Sequence, residues 1–182
     1  LNPHWFLSGY GAYGFKDHRW KYSGTLTYSF NKRDYVVWEF PKHFISATYS
    51  YDVMSPMDKF LFTDKDNVFV SFKTTTVDQM SYMRDVAINY ELETPTGFGV
   101  KSMLRHRNDE PTGNLKYWAN NSSADKMPLP NEKPIHDITT AEASVTLRYA
   151  PGEAFVNSKQ RRIPVSLDAP IFTLTHTAGF KG

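Results

Sequence analysis

Arg19-Trp20-Lys21-Tyr22-Ser23-Gly24-Thr25-Leu26-Thr27-Tyr28-Ser29-Phe30 alternates without a break. Trp20, Tyr22, Leu26, Tyr28 and Phe30 fall on even positions, with Lys21, Ser23, Thr25, Thr27 and Ser29 between them. Successive side chains of a strand point to opposite faces, so this pattern predicts a strand with one apolar and one polar face. Ala141 to Tyr149 repeats it, setting Ala141, Ala143, Val145, Leu147 and Tyr149 against Glu142, Ser144, Thr146 and Arg148. Tyr82 to Glu93 does the same with Arg84 as its one misfit, and Ile45 to Tyr51 alternates with Ser46, Thr48 and Ser50.

Weaker candidates are Trp5–Phe15, Val68–Lys73, Phe98–Arg107 and Ile171–Phe180. No stretch carries a 3.6-residue apolar stripe. The expected fold is all-β, an antiparallel up-and-down meander forming a β-barrel or part of one. Short polar links at Lys16-Asp17-His18, Asn31 to Asp34 and Thr94-Pro95-Thr96-Gly97 suit hairpins. Long loops are expected near 108–137, where Pro128, Pro130 and Pro134 obstruct a sheet, and near 152–170. Pro41 is expected to split Tyr35 to Tyr51 into two strands. The whole of 1–182 reads as one barrel domain or barrel fragment. Both ends cut into patterned segments, so the expectation is a piece of a longer chain.

Composition narrows the function classes. The 182 residues hold 21 Lys+Arg, 19 Asp+Glu and no Cys. A net charge of +2 is too small a footprint for a dedicated nucleic-acid binder. The lack of Cys excludes disulfides, thiolate metal sites and a cysteine nucleophile. The 13 Phe, 11 Tyr and 4 Trp are too many to stay solvated in a disordered chain. Mean hydropathy is −0.51, and no apolar run is long enough for a membrane helix. Alternating strands cancel in such an average, so a membrane-spanning sheet remains open.

Three features favour that sheet over a soluble barrel. The strands run to about ten residues, the length of a tilted bilayer-spanning strand. Aromatics cluster at strand ends, as an interfacial girdle requires; Trp20, Tyr22, Tyr28, Phe30, Tyr82, Tyr90 and Tyr149 are the candidate membrane-facing set. The opposite rows mix Ser and Thr with charge, which a hydrated lumen tolerates. Asp85, Glu91 and Glu93 face Lys101, Arg105 and Arg107 if Thr94 to Gly97 is a hairpin, and with Glu142 and Arg148 they are the candidate lumen- or ligand-facing charges. The alternative is a soluble all-β binding module whose aromatics enclose a small apolar ligand.

Several stretches resemble the C-terminal part of a family of Gram-negative outer-membrane proteins of uncharacterised function. They are Gly9-Tyr10-Gly11-Ala12-Tyr13-Gly14-Phe15-Lys16-Asp17, Arg19-Trp20-Lys21-Tyr22, Leu104-Arg105-His106-Arg107, Thr140 to Glu153, Arg162-Ile163-Pro164-Val165 and Ala169 to Leu174. Members of that family join an N-terminal carboxypeptidase-regulatory-like β-sandwich to a C-terminal membrane barrel. The resemblance implies a barrel segment of the bacterial outer membrane, partnered by outer-membrane lipid and by the rest of its parent chain. Its motifs are structural and identify no chemistry.

Catalytic and cofactor signals are weak. Gly9 to Gly14 matches G-x-G-x-x-G, but no helix pattern follows it to meet a pyrophosphate. The six histidines form no H-x-x-x-H, and His106 with Asp109 and Glu110 is the densest cluster, better read as a polar strand end. Ser46, Ser123 and Ser144 lack a G-x-S-x-G setting. The two sequons in Asn120-Asn121-Ser122-Ser123 support a loop only, and the basic Lys159-Gln160-Arg161-Arg162 reads as a solvated loop. The expectation is a non-enzymatic segment with an envelope structural, surface-binding or transport role, no catalytic residues, no metal and no cofactor. It binds no nucleic acid, and the isolated chain self-associates where lipid does not cover its apolar rows.

Overall fold

The computed structural model describes residues 3–15, 17–33, 39–54, 79–118, 133–157, 162–165 and 169–181. The strands are β1 (Trp5–Gly14), β2 (Arg19–Ser29), β3 (His43–Met54), β4 (Gln79–Glu93), β5 (Phe98–Gly113), β6 (Ile138–Tyr149), β7 (Phe155–Asn157), β8 (Arg162–Pro164) and β9 (Phe172–Lys181). Seven of them form one antiparallel sheet in the order β1-β2-β3-β4-β5-β6-β9, while β7 and β8 pair separately. The all-β meander expected from the alternation is therefore present. The sheet is open: β1 and β9 are its two edges.

Register carries the parity of β2 across every strand. Leu26 pairs with Leu7 and Ala47, Ala47 with Ile88, Ile88 with Leu104, Leu104 with Ala143 and Ala143 with Ala178. One face is apolar from edge to edge. The rows between carry Thr25 against Ser8 and Thr48, Asp85 against Arg107, and Arg105 against Glu142. Thr25 and Thr48 meet through their hydroxyls at 3.0 Å, as do Thr146 and Thr175 at 3.1 Å.

Burial is inverted relative to a soluble domain. Ser29 and Ser81 are 0% exposed, and Thr27, Ser46, Met83 and Asp109 on the same polar face are also buried. On the apolar face Leu104 is 58% exposed, and Leu26, Ile45, Val86, Ile88, Val145, Leu147 and Leu174 are exposed too. The buried hydrophobic residues among those described are only Tyr82, Met83, Ala87 and Ala150.

Several strands differ from their expected bounds. β5 continues past Arg107 to Gly113, into the stretch expected as loop, because β4 reaches back to Gln79 and pairs with it. Pro111 is tolerated there because β5 has passed its last β6 pair, Asp109 with Ile138, and has a neighbour on one side only. The stretch 152–170 contains the β7–β8 hairpin. Val68–Lys73, Ser123 with the sequons, and Lys159 to Arg161 lie outside the described residues. The Thr94–Gly97 link is a tight turn: Thr94 Oγ1 accepts from Phe98 N, and Gly97 takes φ 83°, a conformation that favours glycine.

Gly9 is strand, not a phosphate-binding loop, since β1 runs through Gly14 into a turn and β2. A Cβ on Gly9 would lie 2.6 Å from the Ser23 carbonyl oxygen, whereas one on Gly24 meets nothing within 4 Å. Gly9→Ala is expected to destabilise the sheet by about 1–3 kcal/mol through overpacking, and Gly24→Ala to stay within about 0.5 kcal/mol. Denaturant unfolding followed by tryptophan fluorescence checks both.

Candidate polar-face charge network and aromatic belts

The polar face holds the charged residues singled out from the sequence. On β4 and β5, Arg105 Nε donates to Asp85 Oδ1 at 2.7 Å, and Arg107 Nε lies 3.7 Å from the same oxygen. Arg105 Nη1 reaches Glu142 Oε1 on β6 at 3.4 Å. One guanidinium thus ties three adjacent strands. The two arginines and two carboxylates balance, and Asp85, Arg105 and Arg107 are each only partly exposed.

Glu91 and Glu93 take a different partner from the lysine opposite them. Lys101 is the Cα partner of Glu91, yet Glu91 Oε1 accepts from Lys42 Nζ at 2.8 Å, with Glu93 3.9 Å from the same ammonium. Lys42 immediately precedes β3, and the pairing of His43 with Leu92 swings it onto this face. Arg148 binds Glu153 across the turn that follows β6. Nearer the opposite end the Tyr10 hydroxyl donates to Asp52 on this face, whereas Asn108 Nδ2, on the apolar row opposite Arg84, donates to Thr139 Oγ1 at 2.9 Å and also to Asp137. Neither Lys42 nor Glu153 stood out in the sequence, since neither lies within an alternating segment.

The aromatics form two belts on the apolar face. One gathers Trp5, Tyr28, Phe30, His43 and Tyr90: Trp5 lies 4.9 Å from Tyr28, Tyr28 5.2 Å from Phe30, and Phe30 stacks on His43 at 4.2 Å. Tyr149, 48% exposed, sits at the same end of β6. The other gathers Tyr13 with Trp20, and Tyr22 with Tyr49 and Tyr51. Trp20, Tyr22 and Phe30 are exposed, and Tyr28 and Tyr90 half-exposed. Tyr82 occupies the apolar row but is 6% exposed, because it stacks on Tyr51 at 5.9 Å and the Arg19 guanidinium covers its ring at 4.2 Å.

Beside that second belt lies the β1–β2 turn. The Tyr82 hydroxyl donates to Asp17 Oδ2 at 2.9 Å, and Lys21 Nζ sits 2.8 Å from the same oxygen. The lysine and then the tyrosine hydroxyl hold the Asp17 carboxyl down to about 2. Arg19 Nη1 donates to the Tyr51 hydroxyl at 3.1 Å, and Arg84 lies over the Tyr51 ring at 5.6 Å. Arg84, the misfit of the sequence pattern, therefore sits on the apolar face at the aromatic belt.

Period 2 separates the groups that acid–base or nucleophilic chemistry would need together. His43, His106 and His176 fall on the apolar face, through their pairings with Leu92, Val86 and Val145, while Ser46 and Ser144 fall on the polar face. His106 and Asp109 point to opposite faces. Among the described residues no set of three His, Asp or Glu side chains is grouped to hold a metal ion, and no helix is long and apolar enough to cross a membrane. The polar face offers fixed, paired charge instead.

Arg105→Gln is expected to destabilise the chain by about 1–3 kcal/mol by stranding Asp85 and Glu142. Adding Asp85→Asn recovers part of that loss, with a coupling of at least about 0.5 kcal/mol in a double-mutant cycle. Additive effects in denaturant unfolding would show that the pair is not coupled.

Residues 2–182 match the family model described as "Family of unknown function (DUF5686) C-terminal domain". No curated protein and no solved structure matches the chain at a significant level.

Proposed function

The chain belongs to the family of unknown function DUF5686, as its C-terminal domain, and from that premise we propose that it builds part of the wall of a bacterial outer-membrane β-barrel. The observation that carries this reading is the inversion of burial, with Ser29 and Ser81 at 0% exposure on one face and Leu104 at 58% on the other. An apolar face of this extent left in water is a liability. Against lipid it is the stabilising surface, and the polar rows line a hydrated interior.

Belt spacing supports the same reading. Trp20 and Phe30 are ten residues apart on one row. At ~3.3 Å per residue and a tilt of ~40°, that is about 25 Å along the barrel axis, the height of an outer-membrane apolar band. Aliphatic Leu7, Leu26, Ile88 and Leu104 fill the zone between the belts.

The edges β1 and β9 bear backbone groups that lipid cannot satisfy. Closure therefore falls to further strands of the parent chain, whose N-terminal portion we take to be a carboxypeptidase-regulatory-like sandwich. We take the role to be structural, surface-binding or transporting rather than catalytic: among the described residues the polar-face charges Asp85, Arg105, Arg107 and Glu142 pair with one another. Its partners are outer-membrane lipid and the remainder of its own chain.

Leu104→Arg tests the orientation. In phosphatidylcholine vesicles the substitution is expected to cost about 2–4 kcal/mol, the penalty for an arginine facing the bilayer midplane. If the apolar face met water, Leu104 would be an exposed surface position and the change would stay within about 0.5 kcal/mol. A neutral result, with the chain remaining in the aqueous fraction, overturns the proposal.

A further inference from the structure

Arg19, Trp20, Tyr22, Tyr49, Tyr51 and Arg84 line a cavity of about 350 Å³ at the second aromatic belt. We propose that this cavity binds the phosphate of an anionic membrane lipid, with Arg19 and Arg84 as its ligands. The inference rests on the outer-membrane reading and adds a specific lipid site to it.

Five of the six lining residues belong to the row that faces away from the polar network. Tyr22 pairs with Tyr51 and Tyr51 with Arg84, so the phenol and the second guanidinium lie side by side across β2, β3 and β4. Arg19 is the sixth. Its parity belongs to the polar row, but it stands at the start of β2 beyond the last β2–β3 pair, and its guanidinium reaches round to the Tyr51 hydroxyl.

Charge bookkeeping is what distinguishes the site. Both arginines are exposed, and neither forms an ion pair among the described residues. The nearby carboxylate of Asp17 is already taken by Lys21 and Tyr82. Glu110, the Cα partner of Tyr82, acts on Arg19 only at a distance. Two like charges flank Tyr51, and neither is ion-paired with a carboxylate among the described residues. On a lipid-facing row a lone arginine is costly at mid-depth and tolerable only near the interface, which is where the aromatic belt lies.

A phosphate answers both problems. It neutralises two guanidiniums, and the planar fork of each matches its oxygens in bidentate geometry. The rings of Tyr22, Tyr49 and Trp20 supply flat amphipathic walls for the sugar or glycerol that carries it. A free phosphate would use the arginines but not those walls.

The test uses the full chain in nonionic detergent micelles, read by tryptophan fluorescence because Trp20 lines the cavity. Bisphosphorylated lipid A, its dephosphorylated form, phosphatidylglycerol and inorganic phosphate are titrated separately. A phosphate-bearing lipid is expected to bind at least about tenfold more tightly than dephosphorylated lipid A. Preference between lipid A and phosphatidylglycerol names the lipid. R84Q alone, which removes no hydrogen bond among the described residues, weakens that binding severalfold. R19Q/R84Q weakens it at least about tenfold, R19K/R84K restores part of it, and the charge control K116Q leaves it unchanged.

Equal binding of phosphorylated and dephosphorylated lipid, or unchanged affinity in R19Q/R84Q, overturns the site. If the chain still inserts into bilayers, the barrel reading survives that failure. Inorganic phosphate binding as tightly as the lipids would assign a free-anion site and overturn the lipid assignment. A chain that enters neither micelles nor bilayers removes both readings.

Discussion

Register across seven strands is the constraint on which everything else in this molecule depends. Side chains alternate with a period of two, so a slip of one residue in any strand would carry its whole apolar set to the other face. The pairings leave no such slip: Leu7, Leu26, Ala47, Ile88, Leu104, Ala143 and Ala178 follow one another in a single transverse row. Side-chain contacts on the polar face reinforce the backbone ladder. Arg105 spans β4, β5 and β6, the Thr25–Thr48 and Thr146–Thr175 hydroxyl pairs lock neighbouring polar rows, and Lys42 ties the entry of β3 to the end of β4.

Once register is held, energetics sort the faces. Small hydroxyl residues let the polar rows pack closely, which is why Ser29, Ser46 and Ser81 are buried where a soluble sheet would bury Leu or Val. Buried hydroxyls need partners, and Ser29 Oγ donates to the Asn31 carbonyl while accepting from Arg33 Nε. The apolar rows have no such internal outlet. They gain nothing from one another beyond nearest-neighbour contact, so their stabilisation must come from whatever covers the face. On the proposed outer-membrane reading that cover is lipid, which also accounts for the two aromatic belts and for the placement of Arg19 and Arg84 at one of them.

Much of this was legible in the residues. Arg19 to Phe30 and Ala141 to Tyr149 display their faces outright, and the hairpin at Thr94 to Gly97 follows from its turn chemistry. The extension of β5 was not legible, because Asp109-Glu110-Pro111 has no strand propensity of its own and is held by β4 alone. The role of Lys42 depends on a register that local sequence does not contain. Tyr82 reads as one more belt residue, and only the turn carrying Asp17 and Arg19 shows why it is covered. Arg84 was visible as an exception, but its meaning required Tyr51 on the neighbouring strand. Alternation is also symmetrical: it separates two faces without saying which of them meets water.

That last question is the central one, and the absence of native cysteine makes it directly accessible. Single cysteines placed in turn from Trp20 to Ser29, with the chain inserted in phospholipid vesicles, can be challenged with a water-soluble maleimide and with a lipid-soluble one. Positions 21, 23 and 25 on the polar row, which are part-exposed, are expected to react with the water-soluble reagent, and 22, 24, 26 and 28 only with the lipid-soluble one. Reaction of positions 22 to 28 on the even row with the water-soluble reagent, as fast as positions 21, 23 and 25, would contradict this orientation.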